Sequence, residues 1–148
     1  MNRTCLSANL RKTERLITRH YDSYLADAGV TAVQLPILAT IASVDEPTFR
    51  LLSAELALDR STLSRNLALL ERNGLVDIGP SSGPKPGHLA LTRKGREALK
   101  RGHKRWIAAH AQLERVLSGG QIDEGLSFLK TLRRGARAAA GESENRVN

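Results

Sequence analysis

The sequence predicts a mainly α-helical chain interrupted by one small β-hairpin, and three observations carry that prediction. Apolar residues recur at three- and four-residue steps along most of the 148 residues, the spacing of helix faces that pack. Residues 75–79, LVDIG, and 88–92, HLALT, alternate instead, and they flank GPSSGPKPG, residues 79–87, whose three glycines and three prolines read as a hairpin tip. Two short helical segments on either side of residue 58 are joined by a tight turn, the form of a helix-turn-helix.

The first helix is expected over residues 5–28, where Leu6, Leu10, Ile17, Tyr21 and Leu25 form a stripe between Arg11, Lys12, Arg15 and Arg19. Gly29 stops it. Thr31 caps a second helix to about residue 43 that turns Leu35, Leu38 and Ile41 to one side. Pro36 falls in its first turns, where a missing N–H costs little. VDEP, residues 44–47, breaks the chain, and a short third helix follows from about 49 to 57 with Leu52 and Leu56 inward. Asp59 or Ser61 offers the oxygen that caps a fourth helix, which ends at Asn73-Gly74. After the hairpin, Thr92 caps a long helix to about residue 117 through Leu99, Trp106, Leu113 and Leu117. Gly119-Gly120 breaks it, a last helix covers roughly 122–140, and GESENRVN is expected to fray.

Composition narrows the function. A hydrophobic content of 41% supports a core of modest size. No apolar run approaches the roughly 20 residues that cross a bilayer, and the N-terminus has no signal-peptide core, so a cytoplasmic protein without membrane contact is expected. Cys5, the sole cysteine, excludes an internal disulfide framework. The net charge of +8 favours a polyanionic partner, whereas 3% aromatic residues argue against stacking on single strands, which leaves duplex DNA. The charge is uneven. Residues 31–91 hold five basic and six acidic side chains, while residues 92–118 hold eight basic and two acidic ones. A DNA site in the first segment must rest on a few placed cations. No nucleophile elbow or phosphate-binding loop occurs, so neither catalytic residues, nor enzyme activity, nor a cofactor is expected. His20, His88, His103 and His110 lack the cysteine or carboxylate partners of a metal box, and no metal site is expected.

The fourth helix, within LDRSTLSRNLALLERNGLV at residues 58–76, shows two faces. Leu63, Leu67 and Leu70 make a packing face; Ser61, Thr62, Ser64, Arg65 and Ala68 lie around the other. A helix enters the major groove end-on only if its leading side chains are short. Ser and Thr hydroxyls then reach phosphates or base edges, and Arg pairs bidentately with guanine. The first helix and the last two are long, striped and poorly matched to one small lobe; a symmetric dimer would bury those stripes and set two reading helices about one DNA turn apart, roughly 34 Å.

LDRSTLSRNLALLERNGLV resembles the recognition-helix signature of MarR-type winged helix-turn-helix regulators, and LALTRKGREAL, residues 89–99, resembles their return from wing to helix. The resemblance implies a winged helix-turn-helix fold with N- and C-terminal dimerisation helices: residues 1–30 a dimerisation helix, 31–92 the DNA-binding lobe, 93–140 two further dimerisation helices, and 141–148 a flexible tail. It also implies a homodimer on a near-palindromic double-stranded operator, with Ser61, Thr62, Ser64 and Arg65 facing DNA and Arg60 and Asn66 at the margin. The implied activity is that of a sequence-specific transcriptional regulator, usually a repressor, released by a small ligand or by oxidation. The competing reading is a winged-helix interaction module that has lost specific DNA binding.

Several positions depart from the family pattern. Where relatives often place an arginine at the wing, only Lys85 is cationic here, and lysine lacks the planar fork of arginine. A weaker minor-groove contact is expected, with phosphate contacts from Lys85, Arg93 or Lys94 in its place. Ala57 occupies a turn position that often holds glycine. Some relatives sense peroxide through a cysteine in the first helix. Cys5 is the redox candidate, although Tyr21 and Tyr24 do not match those sensors' tyrosine spacing, which favours a small interface residue. An aromatic or phenolic ligand in the crevice between dimer helices and DNA lobe would meet Arg15, Arg19, His20, Tyr21, Tyr24 or Trp106.

Overall fold

In the computed structural model, residues 5–79 and 88–141 are described. They form six helices and one antiparallel two-stranded sheet, the mainly α arrangement expected. The tip of the hairpin and the terminal tail, including Lys85 and residues 142–148, lie outside the described residues.

Helix α1, Leu6–Leu25, runs into a single 3-10 turn, Ala26–Ala28, and ends where Gly29 adopts φ 74°. Its stripe forms as predicted, but the described chain covers only the C-terminal end: Leu25 is fully buried, while Leu6, Leu10 and Ile17 remain 53%, 37% and 42% exposed. Helix α2, Gln34–Ser43, is entered through a reciprocal pair: the Gln34 N–H donates to Thr31 Oγ1 at 3.2 Å, and the Thr31 N–H donates to Gln34 Oε1 at 3.2 Å. This is a capping box, and it explains why Gln34 is a buried polar residue. The Ala32 N–H donates to Asp22 Oδ1 at 2.6 Å, which fastens α1 to the start of α2.

Helix α3, Phe49–Leu56, is capped by Thr48, whose Oγ1 accepts from the Leu51 N–H. It stops one residue earlier than the sequence suggests because Ala57 takes a left-handed conformation, φ 49°. Helix α4, Arg60–Arg72, follows at once. Its far end closes with the Leu75 N–H on the Leu70 carbonyl at 2.9 Å and the Gly74 N–H on the Glu71 carbonyl at 2.8 Å, with Gly74 at φ 67°. That pair of bonds is the Schellman stop, and it aims the chain directly into the hairpin.

Strands β1, Val76–Ile78, and β2, Leu89–Leu91, pair antiparallel in the register Val76–Leu91, Asp77–Ala90 and Ile78–Leu89. Val76, Leu89 and Leu91 turn inward. Helix α5, Arg93–Val116, starts at Thr92, whose Oγ1 accepts from the Gly95 N–H at 2.9 Å and donates to the Gly74 carbonyl at 2.7 Å. One hydroxyl thus ties the start of α5 to the end of α4. The approach leaves no room at Gly95: a Cβ there would stand 1.9 Å from the Leu75 carbonyl oxygen.

The described residues divide into two compact units between Ala109 and His110, within α5. The first unit holds the core, in which Leu25, Ile37, Leu38, Leu52, Leu63, Leu70 and Val76 are sealed from solvent. These residues come from α1, α2, α3, α4 and β1, so the helix-turn-helix and the hairpin share one core. The second unit holds the end of α5 and helix α6, Gln121–Ala139, which begins at Gly120 with φ 85° and carries Asp123 and Glu124 in its first turn. Helix α6 has no buried residue, and Leu126 and Phe128 are 56% and 59% exposed. Among the described residues no helix is long and apolar enough to cross a membrane.

Two backbone positions give opposite expectations. Left-handed alanine costs roughly 1–2 kcal/mol, part of which glycine returns through its freer unfolded chain, so Ala57→Gly should stabilise by on the order of 0.5–1 kcal/mol. Gly95→Ala should destabilise by about 1–3 kcal/mol, because the Leu75 backbone must move. Urea denaturation of both variants checks the pair; a shift of the same sign in both would contradict the assigned conformations.

Candidate functional site

Helix α4 is held from beneath. Leu63, Leu67 and Leu70 are 0%, 3% and 0% exposed, and each such burial is worth roughly 1.5–3 kcal/mol. The turn before it is fixed as well: the Ser53 hydroxyl donates to the Leu58 carbonyl at 2.7 Å, and the Leu58 N–H returns to the Ser53 carbonyl at 3.2 Å. With its underside anchored and its entry tied, α4 presents its leading turn outward. Arg60, Ser61, Ser64 and Arg65 are exposed, and Thr62 and Asn66 are half-buried.

Of the two capping oxygens the sequence offers, the structure selects Asp59. Its Oδ1 accepts from the Thr62 N–H at 2.9 Å and from the Ser61 hydroxyl at 2.6 Å, and its Oδ2 accepts from the Thr62 hydroxyl at 2.7 Å. The Ser61 hydroxyl, followed by the hydroxyl and backbone N–H of Thr62, holds the Asp59 carboxyl far below the usual carboxylate range. Asp59 therefore keeps its negative charge to lower pH than an ordinary aspartate would.

Arg60 and Arg65 are the cations of this leading turn. The Arg60 guanidinium lies 6.0 Å from the Phe49 ring centre, the outer limit of a cation–π contact. Arg65 has neither ion pair nor hydrogen bond among the described residues. Asn66 donates from its side-chain amide to the Thr62 carbonyl at 2.9 Å, which engages it with its own helix. At the start of α5, Arg93 is exposed and lies 3.9 Å from Glu97, while Lys94 Nζ donates to the Asn73 carbonyl at 2.8 Å. Arg96 donates to the Leu91 carbonyl at 2.7 Å. Of the cations after the hairpin, Lys94 and Arg96 thus brace the end of α4 and the end of β2.

The first unit also contains an apolar cavity of about 420 Å³. Tyr21, Leu35, Pro36, Leu99, His103 and Trp106 are among its walls. Tyr21 and His103 lie parallel to Trp106, with ring centres 6.3 and 6.1 Å away. A second cavity adjoins it and adds Arg96 and Lys100 to the shared residues Ala39, Leu99 and His103. Of the residues the sequence put forward for a ligand crevice, Tyr21 and Trp106 line the apolar cavity; Arg15, Arg19, His20 and Tyr24 do not. Arg15 and Arg19 face solvent, and His20 donates from Nε2 to the Ala109 carbonyl at 2.9 Å, with the Tyr24 ring 5.2 Å away. Sequence reasoning missed Leu35, Pro36 and His103 because they sit on two helices whose approach only the fold decides. Cys5, at the N-cap of α1, is exposed. Among the described residues no three His, Cys, Asp or Glu side chains gather as a metal site.

A helix-turn-helix whose second helix runs into a two-stranded hairpin and then a long helix defines a winged helix-turn-helix protein. The sequence matches the MarR family over residues 28–85. The M. tuberculosis transcriptional regulator MosR in complex with DNA is similar to this chain at TM-score 0.75 and 27% identity, over 90% of this chain and 98% of that one. The transcriptional repressor CouR bound to p-coumaroyl-CoA is similar at TM-score 0.77 and 24% identity, over 88% and 92% of the two chains. A cysteine variant of MarR from E. coli complexed with operator DNA gives 0.74 and 23%, over 86% and 92%. The last two bear on the fold alone. No curated protein sequence matches the chain. The chain thus has a winged helix-turn-helix fold, and its residues 28–85 match the MarR family.

Proposed function

We propose that the chain acts as a homodimeric, sequence-specific repressor on duplex DNA, with the leading turn of α4 as its reading element and a small ligand as its releasing signal. The observation that carries this reading is the outward presentation of Ser61, Ser64 and Arg65 above three buried leucines. Short side chains and one uncommitted guanidinium at the head of a fixed helix suit close approach to a major groove. Arg60 and Asn66 belong to that turn, Arg93 stands at the start of α5, and Lys85, outside the described residues, is included in the proposal from the sequence alone.

Dimerisation is supported by apolar area that one chain leaves open. Leu6, Leu10, Leu16 and Ile17 on α1, and Leu126, Phe128 and Leu129 on α6, are each more than a third exposed. A second copy burying these faces would set two α4 helices against one near-palindromic duplex. MosR is described in complex with DNA and CouR with p-coumaroyl-CoA, and both are compatible with a DNA-bound and a ligand-bound state of this chain. For the ligand we favour an aromatic acid: the cavity beside Tyr21 and Trp106 accepts a ring, and Lys100 stands in the adjoining space. A ligand there would release DNA only by binding the non-reading arrangement more tightly. Cys5, exposed and without a second cysteine, gives oxidation no resolving partner within the chain, so ligand release is preferred. The protein acts without enzymatic chemistry, in the cytoplasm.

Gel shifts against the chain's own upstream intergenic DNA test the reading. Arg65→Ala should weaken specific binding by roughly five- to a hundredfold, the worth of one bidentate guanine contact, while non-specific binding changes little. Equal loss on all sequences would reduce the chain to a non-specific basic protein. Trp106 is the single tryptophan, so an aromatic acid entering the cavity should quench its emission and lower DNA affinity together. Quenching without release would separate the cavity from regulation.

A further inference from the structure

The hydroxyls at the tip of α4 are already spent as donors. Each hydroxyl carries one hydrogen and two lone pairs, and an ionised carboxylate can only accept. The contacts of 2.6 Å from Ser61 and 2.7 Å from Thr62 to the Asp59 oxygens therefore fix both hydrogens on Asp59. What the tip turns outward is a set of lone pairs. Phosphate oxygens are also acceptors, so these hydroxyls cannot pair with the DNA backbone without first breaking from Asp59. In the major groove the donors are the N4 amino group of cytosine and the N6 amino group of adenine. We infer that Asp59 is a specificity-determining residue that turns Ser61 and Thr62 into acceptors for the exocyclic amino groups of cytosine or adenine.

The inference rests on the proposed reading role of α4. Two further observations favour it over a plain helix cap. A single bond to the Thr62 N–H is enough for capping, yet Asp59 also takes both hydroxyls. Arg65, which only donates, lies three and four residues beyond Thr62 and Ser61, on the same side of the helix. The turn thus sets acceptors one helical turn from a donor, a pattern that distinguishes base pairs. A carboxylate at this position also disfavours phosphate, which leaves backbone contacts to cations such as Arg60. Asp59 itself is a positioning residue: it acts through the two hydroxyls and remains charged throughout the pH range of DNA binding.

The test is binding-site selection by the full chain from random duplex DNA, run with wild type, Asp59→Asn and Asp59→Ser. Both variants keep a capping oxygen, but neither holds two hydroxyl hydrogens on an ionised group, and thermal melting of each identifies the variants that fold as wild type does. Wild type should enrich cytosine or adenine at one or two positions in each half-site. In the folded variants that preference should fall by about fivefold or more, non-specific affinity should rise, and guanine selection through Arg65 should persist. Unchanged base preference in a folded variant overturns the inference while leaving the regulator reading intact. So does wild-type selection of guanine or thymine alone. Enrichment of no sequence by wild type overturns both.

Discussion

The burial of Leu63, Leu67 and Leu70 beneath α4 is the constraint on which the rest depends. Thirteen residues carry these three leucines at four- and three-residue steps, so packing one face dictates which side chains meet solvent. The leading turn cannot be tucked away without pulling the leucines out. Every neighbouring feature defends that posture: Ser53 and Leu58 lock the entry, the Schellman stop locks the exit, and Thr92 ties the exit to the next helix. Helix α4 is thus tied at both its entry and its exit.

Much of this was legible in the sequence because its signals are local. The glycines at 29, 74 and 120 end or begin helices where their left-handed backbones are needed, and the alternating segments at 75–79 and 88–92 pair as strands. Cap choice was not settled by type, since Asp59 and Ser61 both offer oxygens; the structure uses the first and makes the second its partner. Thr31 and Gln34 form a capping box that the TAVQ spacing already contained, although the stronger apolar pattern after it draws attention first. The helix at 49–57 lost its last residue to Ala57, a left-handed conformation that alanine composition does not advertise. The cavity was only half legible. Tyr21 and Trp106 mark it from two distant stretches, but Leu35, Pro36 and His103 join them through packing that no local pattern encodes.

The charge distribution takes on meaning with the fold in view. The lobe from residue 31 to 91 is nearly neutral, and part of its negative charge is Asp59, placed at the very tip. Lys94 and Arg96, in the basic stretch that follows, are occupied with backbone carbonyls, so formal charge overstates the cations available for a partner. Under the proposed function, discrimination would fall to a small, hydrogen-bonded tip carrying one guanidinium, and longer-range attraction to the basic stretch that begins α5. The exposed apolar faces of α1 and α6 are the surfaces that the proposed dimer would bury.

The most direct measurement is photo-crosslinking to duplex DNA from a single thiol. A Cys5→Ser, Ser64→Cys chain would carry an aryl azide on residue 64, and a Cys5→Ser, Ser127→Cys chain would carry the same probe on exposed α6. The expected result is crosslinking from residue 64 to bases at two places about one helical turn, roughly 34 Å, apart, and none from residue 127. Equal crosslinking from both probes, or none from residue 64 while the duplex stays bound, would contradict the role assigned to α4.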